Sequence, residues 1–250
     1  MFLLQQEYLC MKPSDKEDKF MEILYEDNHL IIVNKTGTEI VQADKTGDAP
    51  LSEIIKKYLK EKYAKPGNVF LGVIHRLDRP VSGVVVFAKT SKALNRMNEM
   101  FRIRDLKKEY WAIVKNTPPE PEMILTHYLI RDEKQNKSYA YDEQTGSAKK
   151  SVLSFKLIAQ SDNYNLLKVD LKTGRHHQIR CQLAKIGCPV KGDIKYGFPR
   201  TNKDEGINLH ARSIEFIHPI SKIPVKIIAP VPDDALWNEF MKIVEPKKPE

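Results

Sequence analysis

VFLGVIHRLDRPVSGVVVFAK, residues 69–89, sets a charged segment between two apolar runs. The β-branched runs predict strands over about 69–76 and 83–89. Between them, HRLDRPVSG (His75 to Gly83) contains Pro80 and Gly83, so it is predicted to be a loop held between rigid elements. Asp78 stands there between Arg76 and Arg79. Cations so close favour an ionised carboxylate, suited to act as a nucleophile or base. The same residues also fit a surface loop closed by a local ion pair.

Outward from this loop the pattern predicts short strands and few helices. Upstream, EILYE and LIIVNK flank Asp27 and Asn28 as a hairpin, and Leu51, Ile54, Ile55 and Leu59 recur at helical spacing behind Pro50. Downstream, a helix from Ser91 to about Ile103 turns Leu94, Met97 and Phe101 inward. In the strand KEYWAIVK, alternation puts Tyr110, Ala112 and Val114 on one face and Trp111 and Ile113 on the other. Further strands are expected near 125–130, 137–141, 150–158, 164–172, 208–217 and 223–229. Helices are expected over 176–186, closed by Gly187, and 233–243, opened by Asp233. The fold class is α+β, with a mostly antiparallel central sheet flanked by helices and loops. Residues 1–19 are polar and aperiodic, a mobile leader or a start set too early, and residues 20–245 form one domain.

TGRHHQIRCQLAKIG (Thr173 to Gly187) is the second charged constellation. A helix from His176 places His176 and Arg180 on one face, beside the apolar stripe Ile179, Leu183 and Ile186. Gly174, ahead of the helix start, suits a phosphate contact through free backbone amides. An amphipathic helix with an ordinary polar face fits the same residues.

The chain has 250 residues, and its 41 Lys+Arg against 33 Asp+Glu leave +8, a charge suited to a polyanion such as nucleic acid. The longest apolar runs resemble Val84 to Ala88, far short of a membrane span, and the N-terminus lacks a secretory pattern, so a cytoplasmic protein is expected. Its 3 Cys are too few for a disulfide framework, and Cys181 and Cys188 are expected to pack as small apolar side chains. Without HxxxH or CxxC spacing no metal is expected. A kinase catalytic loop is set aside because the Asp of HRLD is displaced by one residue and no glycine-rich loop or DFG segment accompanies it.

HRLDRPVSG, followed by KEYWAIV, then LKTGRHHQIRCQLAKIGCPVKGDIKYG and LHA, resembles the RluA-type family of RNA pseudouridine synthases in order, spacing and identity. The likeness runs from EILYEDNHLIIVNK through VPDDALW, nearly all of the expected domain. It implies the pseudouridine synthase fold and isomerisation of uridine in RNA, ribosomal RNA first and transfer RNA second, by a monomer with no cofactor. Asp78 is then the catalytic nucleophile. Tyr110 packs against the target base and serves proton transfer, and Arg180 pairs with the catalytic carboxylate. Leu209 walls the uracil pocket, and Arg76 fills the stack left by a flipped nucleotide. His75, Arg79 and Arg175 are expected around the substrate, and Arg102, Arg104, Lys107 and Lys108 on the approach to Tyr110. A buried Asp78 losing Arg180 is expected to cost on the order of 3–5 kcal/mol. Two departures stand out: NKTGTEIV where the family usually reads NKPAG, and Val81 where threonine is commoner. The small N-terminal RNA-binding module of many relatives is expected to be missing, leaving substrate selection to the catalytic body. A different class, a non-catalytic RNA-binding or ribosome-assembly protein retaining the fold, is the alternative.

Overall fold

The computed structural model describes residues 21–44 and 46–245; the expected leader over 1–19 lies outside the described residues. The hairpin is present as β1 (Glu22–Glu26) and β2 (Leu30–Lys35). Asp27 shapes its turn by accepting from the backbone N–H groups of His29 and Leu30, each at 2.7 Å. Next come α1 (Leu51–Lys62), β3 (Gly72–Val73), β4 (Ser82–Ala88), α2 (Ser91–Ile103) and β5 (Lys107–Val114). Then follow β6 (Glu122–Asp132), β7 (Lys137–Tyr141), β8 (Lys149–Gln160), β9 (Asn165–Leu171), α3 (Gln178–Lys185), β10 (Leu209–Ile217), β11 (Pro224–Ile228) and α4 (Ala235–Val244).

The strands form one 11-stranded sheet in the order β1-β2-β4-β10-β5-β9-β8-β6-β7, with β11 on β10 and β3 on β4. Among the described residues only β4 and β10 run parallel; every other strand pairing there is antiparallel. This is the expected α+β architecture. Alternation along β5 divides the core as predicted. Tyr110, Ala112 and Val114 join the layer under α1 and α3, whereas Trp111 and Ile113 meet Trp237 and Phe240 of α4. Burial of each such large side chain contributes about 1.5–3 kcal/mol.

Three of the boundaries that differ from the sequence reading have a clear local cause. The strand expected over 69–76 contracts to Gly72–Val73, because the next amide of β4, Val86, donates instead to His75 Nε2 at 3.1 Å. The third helix begins at Gln178 rather than 176, since His177 has φ 52°, outside the helical region, and His176 therefore precedes the helix. The last helix is capped by Asp234, not Asp233; its carboxylate accepts from the N–H groups of Leu236 and Trp237. Cys181 and Cys188 are buried free thiols, as expected. No helix among the described residues is long and apolar enough to cross a membrane.

Candidate active site

The segment between β3 and β4 is irregular, yet the carbonyls of Asp78, Arg79, Pro80 and Val81 are all engaged. Asp78 O accepts from Val81 N (3.0 Å) and Pro80 O from Ile207 N (2.9 Å). Lys35 Nζ donates to Arg79 O (2.9 Å), Val81 O (2.7 Å) and Thr36 O (2.7 Å) from a fully buried position. Burial pulls the Lys35 pKa down to about 7. The loop's end is fixed by Gly83, at φ 113°, where a Cβ would stand 2.4 Å from Ala211 O on the parallel strand β10. Only glycine fits so close a backbone approach at that φ.

Asp78 projects from this braced loop with its side chain 30% exposed. Arg180 Nη1, from α3, donates to Asp78 Oδ2 at 3.1 Å, and His177 Nε2 lies 3.4 Å from the same oxygen. Among the described residues Oδ1 has no hydrogen-bond partner. The expected Arg180–Asp78 pair is thus present, but Asp78 is not the main partner of Arg180. Asp193, 1% exposed, takes Nε at 2.6 Å and Nη2 at 2.9 Å in a two-pronged contact. Burial opposes the charge of Arg180, and Asp193 together with Asp78 outweighs it, raising the guanidinium pKa above its ordinary value. The Tyr196 ring lies beneath this guanidinium, 5.1 Å away.

Tyr110 is buried in the same core layer as Leu77, Ile179 and Leu209. Burial, and then the Asp78 charge, push its hydroxyl pKa upward, so the phenol is neutral at physiological pH. Leu209 sits on β10 opposite Ala112, two residues along the strands from the Tyr110–Ala211 pair and so on the same face of the sheet. Asp78, Tyr110, Arg180 and Leu209 are therefore gathered by β5, β10, α3 and the loop.

The other expected residues fall differently. Arg76 is exposed beside Asp78, and Arg175 is exposed ahead of α3, its N–H bound by Gln178 Oε1 at 3.0 Å. Arg79 turns to Asp48 (2.6 Å), Thr46 (2.6 Å) and Asp44 (3.4 Å). His75 stacks on Phe101 at 4.8 Å, and burial, then Lys108, lower its pKa to about 3. Lys108 lies over Phe101 at 5.4 Å and is half-buried; Arg102 pairs with Glu99. His176 is not on the Arg180 helix face: it stacks on His177 at 3.7 Å.

Lys35, Asp193, Tyr196 and His177 are the supporting residues that sequence reasoning did not single out. All four stand inside stretches it quoted, NKTGTEIV and LKTGRHHQIRCQLAKIGCPVKGDIKYG. A cavity of about 330 Å³ lies behind the loop, lined in part by Asn34, Lys35, Ser82 and Asn208; Asp78 and Tyr110 are not on its wall.

A protein-family model described as RNA pseudouridylate synthase matches residues 29–185. Ribosomal large subunit pseudouridine synthase C of Buchnera aphidicola subsp. Baizongia pistaciae is 32% identical over 228 residues, 88% of this chain and 69% of that protein. The tRNA pseudouridine synthase C of Vibrio cholerae is 28% identical over 239 residues, 88% of this chain and 94% of that protein. The solved structure of human RNA Pseudouridylate Synthase Domain Containing 4 superposes with a TM-score of 0.72 at 20% identity, covering 92% of this chain and 95% of that one. At that identity the likeness is one of fold.

Proposed function

This chain belongs to the RNA pseudouridylate synthase family, and from that premise we propose that Asp78 is the carboxylate with which it converts uridine to pseudouridine in a structured RNA. It is an RNA pseudouridine synthase, an isomerase; the non-catalytic alternative is not favoured, because relatives of both RNA classes that match along the chain are named as synthases. The reaction breaks the bond from ribose C1′ to uracil N1, turns the base and joins C1′ to C5. The proton lost from C5 is balanced by the one gained at N1. No oxidant, reductant or added group enters that balance.

The carrying observation is the placement of Asp78. It is held on one oxygen by Arg180, leaves Oδ1 uncommitted, and stands beside the neutral phenol of Tyr110. Tyr110 packs against the base and passes protons, Leu209 forms the apolar wall, and the exposed Arg76 replaces the nucleotide that leaves the stack. Flipping costs about a few kcal/mol, offset by pocket contacts and by backbone charge. His75 supports this site from behind, since it is stacked and bonded to the β4 amide. Arg79 and Arg175 serve RNA at the rim. Residues 20–245 act as one catalytic domain, as a monomer, in the cytoplasm, without cofactor.

Ribosomal RNA is the first target class and transfer RNA the second, in line with relatives at 32% and 28% identity. Pseudouridine mapping on ribosomal and transfer RNA from a strain lacking the gene, before and after addition of the protein, tests both levels. New sites in either class support the reaction and identify the target. No new site in either pool would refute it.

A further inference from the structure

Both contacts to the Asp78 carboxylate fall on Oδ2 and come from two different side chains. One N–H···O contact is a pivot about which a carboxylate still turns; two donors on one oxygen remove that freedom. Arg180 supplies the first donor, and the second is His177 Nε2. His177 holds its place against backbone preference: its φ of 52° is left-handed, where asparagine or glycine sits with less strain.

The hydrogen-bond chain behind His177 assigns its proton. Ser138 N donates to the Tyr196 hydroxyl oxygen at 2.8 Å; with the acceptor Asp78 Oδ2 facing Nε2 and no other acceptor for the hydroxyl's proton among the described residues, that proton goes to His177 Nδ1 at 3.0 Å. Nδ1 is then the acceptor, so Nε2, which faces Asp78, carries the ring's proton. Burial, with Arg180 beside it, lowers the His177 pKa to about 2, so the ring is an uncharged donor. His176 stacks on it and is itself held by Ser138 Oγ (3.0 Å) and Asn136 Oδ1 (3.1 Å), so the ring plane is fixed from behind.

We propose, resting on Asp78 as the catalytic carboxylate, that the neutral Nε2–H of His177 is a positioning group that works with Arg180 to tie Oδ2 and turn Oδ1 toward the nucleoside. A neutral donor orients the carboxylate without adding a second cation to hold its charge. The 3.4 Å separation is long for a hydrogen bond and closes on substrate binding, as catalytic contacts in unliganded enzymes often do.

Two substitutions of His177 separate this role from a backbone role, because they rank oppositely. His177→Gln carries an amide N–H to nearly the place of Nε2 but suits the left-handed φ poorly. His177→Asn suits that φ and is too short to reach Asp78. Single-turnover pseudouridine formation at saturating RNA is expected to stay within about tenfold of wild type for Gln. For Asn it is expected to fall by about 100-fold, with RNA affinity unchanged in both. An active wild type whose Asn variant is as fast as its Gln variant overturns the positioning role alone. A wild type without turnover overturns the functional reading and the role with it. Should either variant fail to fold, nitrogen-15 NMR of the wild-type imidazole decides: a neutral Nε2–H tautomer from about pH 6 to about pH 8 is expected. An Nδ1–H tautomer or an imidazolium there overturns the proposal.

Discussion

Replacing Asp193 by Asn should destabilise the protein far more than replacing Asp78, the proposed catalytic carboxylate, by Asn. The Arg180 side chain is 5% exposed and that of Asp193 1%, and the two share contacts of 2.6 and 2.9 Å, a charge-assisted fork. Asp193→Asn leaves a buried guanidinium with a single, partly wet counter-charge, and breaking a buried pair in this way costs about 3–5 kcal/mol. Asp78→Asn removes one 3.1 Å contact from a side chain that is 30% exposed, while Asp193 keeps Arg180 compensated. Its expected cost is about 0–1 kcal/mol, the range for partly exposed pairs. Urea unfolding followed by the fluorescence of the buried Trp111 and Trp237 reads both variants. With a slope of about 2–3 kcal/mol per molar, the Asp193 variant should lose about 1–2.5 M in midpoint and the Asp78 variant at most about 0.5 M. Equal midpoint losses, or a loss under about 0.5 M for Asp193→Asn, would refute the claim that Asp193 is the structural partner of Arg180.

Two further outcomes follow from buried charge elsewhere. Burial alone would raise the Glu26 pKa, but hydrogen bonds from Lys62, Lys89, Tyr63 and Tyr58 outweigh it and hold the carboxyl at about 2, against an ordinary 4.5. A depressed folded-state pKa gives stability that is present above about pH 4.5 and lost as the pH falls toward about 2, on the order of 3 kcal/mol. Thermal melts across that window should show a steep loss for wild type and a shallower one for Glu26→Gln; parallel curves would refute it. Lys107 is exposed, whereas Lys108 is half-buried over Phe101, and burial, then Arg104, lower the Lys108 pKa. Lys107→Ala is therefore expected to reduce the salt slope of RNA binding by about one, and Lys108→Ala to leave it unchanged. Identical slopes for the two variants would contradict this division.

The sheet was legible where side chains alternate: β5 could be split into its two faces from spacing alone, and the structure divides it the same way. Capped, strongly periodic helices such as α2 were equally plain. What escaped were places where a side chain replaces a backbone interaction. His75 takes the Val86 amide and ends β3 early, and a left-handed His177 delays α3; neither leaves a mark in hydrophobic periodicity. The candidate site shows the same contrast. Asp78, Tyr110, Arg180 and Leu209 are candidates that the resemblance picks out through motifs in order, and the fold brings them together. Asp193 and Lys35 are read only as parts of longer stretches, because a partner across 13 residues, or two loop carbonyls reached from β2, depends on tertiary geometry. Arg79, expected at the substrate, also pairs with Asp44 and Asp48 from a segment more than 30 residues upstream, contacts that no local pattern announces.

The most direct test of the account is pseudouridine formation by the Asp78→Asn protein on an RNA that the wild type modifies, with binding of the same RNA measured alongside. Asn is nearly the same size and keeps the loop's backbone bonds, so affinity should stay close to that of the wild type while pseudouridine formation is abolished. Turnover by Asp78→Asn comparable to wild type would contradict the central claim that this carboxylate performs the isomerisation.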